Sequence, residues 1–257
     1  MGAVPALIPL LSQLAVAPLV AAAVFLLVVR LARFVLAALV ARASSTCVAF
    51  YHPHTRDGGG GERVLWCAIN AAQAALGSGR GAFIFTGDDD DGGDDGFDLA
   101  SRGERLFGVP RSRAGVSFIR IRLRRISEAS VYPFATLFLQ VALGALGAIE
   151  VVLRTPLGCA TIVDTSGNNP LLIPIARACG IDVVAYVHYP LIFAGIMRRV
   201  RDGTRTYNNA STFFTAIKAM RELKWMYYAV IGRVYGASVA RANVLMCNSS
   251  WTERNLR

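Results

Sequence analysis

The sequence predicts an α/β protein, a doubly wound parallel sheet preceded by a transmembrane helix. Three observations predict it. From Thr46 onward, short apolar runs of strand type alternate with segments of helical spacing, and that alternation means a parallel sheet covered on both faces. Glycine, histidine and asparagine residues gather just after the strand candidates, where such sheets bind ligands. Residues 1–29 carry no charged side chain, and Arg30, Arg33 and Arg42 then follow.

Composition narrows the class. Hydrophobic residues make up 54% of the 257-residue chain and charged residues 17%, below the roughly 25% of soluble domains. Part of the chain is therefore expected to meet lipid. The net charge of +10 suits nucleic acid or an anionic membrane surface. Zinc-finger spacing, a basic helix with heptads and an aromatic RNA-binding signature are all missing, which leaves lipid and phosphate and no nucleic acid. The five cysteines are odd in number and widely spaced, with no CxxC. They read as buried free thiols in a reducing compartment. With three histidines in all, a histidine-based metal site is not expected.

The N-terminal apolar run exceeds the about 20 residues that a membrane span needs. A cleaved signal places its positive charge before a short apolar core, and here the arginines come after it. Residues 1–42 are read as anchor and flank. The positive-inside rule puts the N-terminus in the lumen and the body, residues 43–257, in the cytosol. A second apolar stretch, Pro133 to Leu153, has Glu150 as its one charge. It lies between strands of one sheet, so a buried or membrane-skimming helix is expected rather than a second span.

The elements follow in order. Thr46–Tyr51 is a short buried strand. Glu62–Leu76 carries Val64, Leu65, Ala68, Ile69, Ala72 and Leu76 at helical spacing. Ala82–Asp88 is the next strand. Asp88–Gly96, "DDDDGGDDG", reads as a low-complexity solvated insert without chemistry. Ser117–Ile126 alternates, with Ile119, Ile121 and Leu123 on one side and Arg120, Arg122 and Arg124 on the other. That makes it an edge strand with a solvated face or a basic face against phosphate headgroups. After the apolar helix come strand Cys159–Asp164, a short helix in "LLIPIARACG", strand Asp182–Val187 ending in "HYP", and a long helical region from about Ala210 to Arg241. Asn243–Ser250 supplies the last strand and a helix cap, and "WTERNLR" begins a helix.

The four glycines Gly58 to Gly61 precede the first helix of the body. GxxxxGK[ST] is absent, and GxGxxG fails at its third glycine, where Arg63 stands. Bare backbone at a helix N-terminus still allows close approach to an anion such as a diphosphate. A plain flexible loop is the alternative. His188, at a strand's carboxyl end, is either a structural residue or a hydrogen-bond partner for a sugar hydroxyl or phosphate. No nucleophile and base are paired, so the chemistry reads as positioning and electrostatics.

The segments "FYHPHTRDGGGGERVLWCAI", "FTGD", "VYPFATLFLQVALGALGAIE", "YVHYP", "YNNAS" and "VLMCNSSWT" carry a resemblance from about Cys47 to the end. The chain resembles the family of endoplasmic-reticulum GDP-mannose-dependent α-1,2-mannosyltransferases that act on the dolichol-diphosphate-linked oligosaccharide. The resemblance implies a retaining GT-B transferase of two Rossmann-like domains that needs no metal or cofactor. It implies GDP-mannose as donor and the dolichol-diphosphate oligosaccharide as acceptor, with addition of the fourth and fifth mannoses. It also implies the endoplasmic-reticulum membrane and other early glycosyltransferases of N-glycosylation as partners, with a single-pass anchor and a cytosolic body. By the same resemblance His188 lies beside the transferred sugar as the candidate catalytic residue. Gly58, Gly59, Gly60, Gly61, Glu62, Tyr189, Asn248 and Ser249 are the candidate phosphate- or substrate-binding residues. The sequence departs from the family after Gly167, so Asn168 and Asn169 are assigned no acceptor contact.

The donor domain of a GT-B enzyme, with its Glu-x7-Glu motif and basic phosphate-binding residues, has no counterpart here. The chain is expected to be the N-terminal, acceptor-side half and inactive alone. The alternatives are a membrane-anchored, non-catalytic subunit that presents acceptor to a separate catalytic chain, and a related transferase using another polyprenyl acceptor.

Overall fold

The computed structural model describes residues 21–33, 47–76, 81–88, 98–110, 115–132, 136–204 and 218–256. Six strands form one sheet: β1 Cys47–Tyr51, β2 Ala82–Thr86, β3 Val116–Arg120, β4 Cys159–Asp164, β5 Asp182–Val187 and β6 Val244–Cys247. The order is β3-β2-β1-β4-β5-β6, and every pairing is parallel. The doubly wound parallel sheet expected from the strand–helix alternation is therefore present.

Successive strand residues point to opposite faces, so a sheet covered on both sides needs continuous apolar strands. Ala49 and Phe50 are adjacent and both fully buried, in different cores. Ala49 joins Phe85, Ile162 and Val183 beneath Val151, Val152 and Leu172. Phe50 joins Ile84 and Val163 beneath Leu65, Trp66 and Ile69. The helices that provide these covers are α2 Gly60–Leu76, α4 Thr136–Arg154 and α5 Leu172–Ala178, where α1 is the helical segment 21–33. Two helices outside the sequence reading, α3 Leu99–Phe107 and α6 Ala194–Arg201, fill connections. The long helix is α7 Lys218–Val239, and α8 Ser250–Leu256 follows β6.

Three expectations change. Cys47 and Cys159 are register partners on β1 and β4 and form a disulfide, so the chain does not hold five free thiols. The two lie 112 residues apart, and only the strand order brings them together. Cys67, Cys179 and Cys247 are free. The alternation read over Ser117–Ile126 ends as a strand at Arg120. Glu150 of α4 accepts the Arg122 and Leu123 N–H groups, each at 2.9 Å, and Arg124–Ser127 turns as a 3-10 helix. Asp88, read as part of a solvated insert, is instead bonded within the fold; residues 89–97 lie outside the described residues.

The second apolar stretch forms α4, which buries Val141, Gly144, Gly147, Ala148, Val151 and Val152 and exposes Phe138, Leu146 and Leu153. Among the described residues it is the one helix long and apolar enough to cross a membrane. One face covers the sheet and the other stays exposed. Of the expected N-terminal span, residues 21–33 are helical and the remainder lies outside the described residues. Arg33 at the end of this segment donates to the carbonyls of Val152 and Thr155, at 3.0 and 2.9 Å.

Candidate functional site

The strand order reverses between β1 and β4, and the loops after those strands diverge to leave a crevice. His52, His54, Asp57, Gly59, Gly61 and Glu62 line it from the β1–α2 connection; Thr165, Ser166 and Asn168 line it from the loop after β4; and His188 closes it from the end of β5. All three histidines of the chain meet there. The cavity is about 160 Å³, well below the about 300 Å³ at which whole small-molecule sites begin. It has room for one small group rather than a whole substrate.

The four glycines divide by role. Gly58 has φ 70°, left-handed backbone that a side chain disfavours. A Cβ at Gly61 would lie 3.4 Å from His188 Nε2 and 3.4 Å from His52 Cε1, so both rings stand over this glycine and a branched side chain there would press on them. A Cβ at Gly59 or Gly60 would meet nothing within 4 Å. Glu62, buried in the first turn of α2, turns its carboxylate back to accept the Gly58 N–H at 3.0 Å. This resembles a capping box at the N-terminal end of the helix.

His188 Nε2 lies 3.1 Å from the Thr165 carbonyl. A carbonyl only accepts, so Nε2 carries the proton. His52 Nδ1 lies 2.9 Å from Thr165 Oγ1. Burial lowers the His52 pKa to about 4, and His54 and His188 add to the effect while Asp88 opposes it. His52 is therefore neutral at physiological pH. Asp164, beneath the crevice, is pushed up by burial, opposed by bonds from the Gly167 and Ser166 N–H groups and the Ser166 hydroxyl. These bonds shape the turn that brings Thr165 and Ser166 to the crevice.

Of the residues expected from sequence, Gly59, Gly61, Glu62 and His188 line the crevice, and Gly58 and Gly60 belong to the same loop. Tyr189, Asn248 and Ser249 are not among its lining residues. Tyr189 is exposed and stacks on Trp251, ring centroids 5.0 Å apart, with Phe193 edge-on at 5.3 Å. Asn248 Oδ1 accepts from Thr252 Oγ1 at 3.0 Å, and Ser249 Oγ accepts the Thr252 N–H at 3.1 Å. His52, His54 and Thr165 are given no role of their own by the sequence. The signal that singled out His188, a polar residue just past a buried strand, applies equally to the two histidines after β1.

Residues 45–257 match the family model described as ALG11 mannosyltransferase N-terminus. Similar proteins are each named GDP-Man:Man(3)GlcNAc(2)-PP-Dol alpha-1,2-mannosyltransferase. The Caenorhabditis elegans protein is 34% identical over 218 residues, covering 84% of this chain and 44% of the relative. The Dictyostelium discoideum protein is 32% identical over 217 residues, covering 83% and 41%. The human protein is 33% identical over 207 residues, covering 80% and 40%. The chain thus spans about two fifths of the length of these curated relatives. The match takes in every strand of the sheet and every residue of the crevice, and the chain belongs to the ALG11 mannosyltransferase N-terminal family.

Proposed function

We infer that this chain supplies the acceptor-side, Rossmann-like domain of a retaining α-1,2-mannosyltransferase. The donor is GDP-mannose, the acceptor a dolichol-diphosphate-linked oligosaccharide, and the site of action the cytosolic face of the endoplasmic-reticulum membrane. The observation that carries the reading is the crevice at the strand-order reversal, with His188 at the end of β5 and the glycine loop opposite. The family match over residues 45–257 supports it.

In this reading His188 hydrogen-bonds the mannosyl group as it leaves the diphosphate, held by its Nε2–H bond to Thr165. The glycine loop lets backbone approach a phosphate. Catalysis comes from orientation and fixed dipoles rather than a covalent intermediate on this domain. The reading includes metal independence, so transfer persists in excess chelator.

The test is mannose transfer by the complete protein carrying His188→Ala. Loss of a positioned hydrogen-bonding or proton-transferring imidazole lowers kcat by about 100-fold or more, with the folding transition unchanged. Unaltered transfer returns His188 to a structural role and removes the reading's central residue.

A further inference from the structure

Thr165 is fully buried, and each of its polar atoms is committed. Its N–H donates to the Tyr51 carbonyl at 3.2 Å, prolonging the β1–β4 ladder by one residue. Its carbonyl accepts from His188 Nε2 at 3.1 Å. Its hydroxyl lies 2.9 Å from His52 Nδ1. The residue is thus anchored to the centre of the sheet and touches one imidazole with each of its two oxygens. Both rings then meet the same glycine, with 3.4 Å from each to the Cβ position at Gly61. The opposite end of His188 is approached as well, its carbonyl 3.3 Å from Thr252 Oγ1, whose one proton it shares with Asn248 Oδ1.

We propose that Thr165 is a positioning residue of the candidate active site, holding His188 through its carbonyl and His52 through its hydroxyl so that both imidazoles stand at the Cβ position of Gly61 as one unit. The carbonyl can only accept, so neutral His188 exists as the Nε2–H tautomer with Nδ1 bare. A free imidazole samples both tautomers, and a site that needs one of them gains by fixing it. His52 provides the second wall of the seat. Its neutral ring suits a place in the same crevice as another imidazole, where two protonated rings would repel.

This inference rests on the mannosyltransferase reading only for the use of the seat, not for its existence. Three histidines make the existence testable by imidazole ¹⁵N spectra of the full 257-residue chain in detergent near pH 7. The unaltered chain is expected to show His188 as a single tautomer protonated at Nε2. Thr165→Val, close in shape but without the hydroxyl, shifts the His52 nitrogens and leaves His188 in its tautomer. Thr165→Ser restores the His52 signals. A His188 protonated at Nδ1, or averaged between tautomers, overturns the proposal without any variant, as do His52 signals unmoved in Thr165→Val. In the complete protein, Thr165→Val lowers kcat by about tenfold at nearly constant KM, as misplacement of a positioned group does, and Thr165→Ser stays within about twofold. Full turnover in Thr165→Val despite shifted His52 signals overturns the positioning role. The spectra are read without transfer, so a failure of the mannosyltransferase reading, seen as unaltered transfer in His188→Ala, is separate from a failure of the Thr165 seat.

Discussion

Arg124 and Asp88 form a clasp under the β1–α2 loop. Arg124 Nη1 pairs with Asp88 Oδ1, and Asp88 Oδ2 accepts the Thr55 hydroxyl and the Arg56 N–H, each at 3.1 Å. Arg124 Nη2 also donates to His54 Nδ1 at 3.1 Å. An arginine that is always charged makes that His54 nitrogen an acceptor. The clasp therefore fixes both the path of the loop and one crevice histidine.

Gly87 lies directly under the clasp. A Cβ there would fall 1.8 Å from Arg124 Cδ and 2.8 Å from its Cγ and Nε, so Gly87→Ala must expel the arginine side chain. Overpacking of this kind costs about 1–3 kcal/mol, and the charge-assisted bonds to Asp88 go with it. Urea denaturation of the variant is expected to show that loss at an unchanged m-value. Wild-type stability would mean that Arg124 has another equally good placement.

The glycine loop separates effects on folding from effects on transfer. Gly59→Ala and Gly60→Ala point into open space and leave the folding transition within about 0.5 kcal/mol. If bare backbone meets a phosphate there, both lower transfer. Gly61→Val instead drives a branched side chain against His188 and His52 and disturbs both rings before any ligand binds. Gly58→Ala carries the left-handed strain, about 1–2 kcal/mol. Transfer by the complete protein, measured beside thermal unfolding, distinguishes the three. Full transfer in Gly59→Ala and Gly60→Ala removes the anion cradle and leaves a conformational role for Gly58 and Gly61.

Much of the sheet was legible because its strands are apolar on both faces. "CATIVD" and "DVVAYV" became β4 and β5 residue for residue. The alternation over Ser117–Ile126 misled because hydrophobic period is a local signal, whereas Glu150, distant in sequence, captures the backbone at Arg122 and Leu123. The disulfide was invisible for the same reason: pairing Cys47 with Cys159 requires β4 to lie beside β1. His188 was legible from its place after a strand. Thr165 was not, since its role depends on two histidines that meet it only in the folded chain.

His52 gives a prediction in pH. Its folded pKa is about 4, depressed first by burial and then by His54 and His188, against Asp88; the unfolded value is about 6.5. Above pH 6.5 neither state is protonated, and His52 costs nothing. As pH falls from 6.5 to 4 the unfolded chain takes up a proton that the folded chain refuses, so stability declines. The loss levels off below pH 4 and is on the order of 3 kcal/mol. His52→Gln keeps a polar side chain that does not titrate. The stability difference between variant and wild type is expected to move in the variant's favour between pH 6.5 and 4, and to stay flat from 7 to 8. Parallel curves across the acid range would show that His52 is protonated in the fold.

Ser249 and Thr252 offer the last test, of whether the chain after β6 acts through substrate or through His188. Ser249 is the N-cap of α8, its hydroxyl accepting the Thr252 N–H at 3.1 Å. Thr252, 1% exposed, points its hydroxyl into a cluster with Asn248 Oδ1 at 3.0 Å, Ser249 Oγ at 3.1 Å and the His188 carbonyl at 3.3 Å. Removing an N-cap hydroxyl costs about 1 kcal/mol, so Ser249→Ala should be less stable by that amount with KM for donor and acceptor unchanged. Thr252→Val should do more. It removes the one hydroxyl proton that Asn248 Oδ1 and the His188 carbonyl share, and lowers kcat through the tilt of His188. If Ser249→Ala instead raises KM for either substrate several-fold at wild-type stability, the Ser249 hydroxyl contacts substrate directly. The cap would then be a secondary use of the same oxygen.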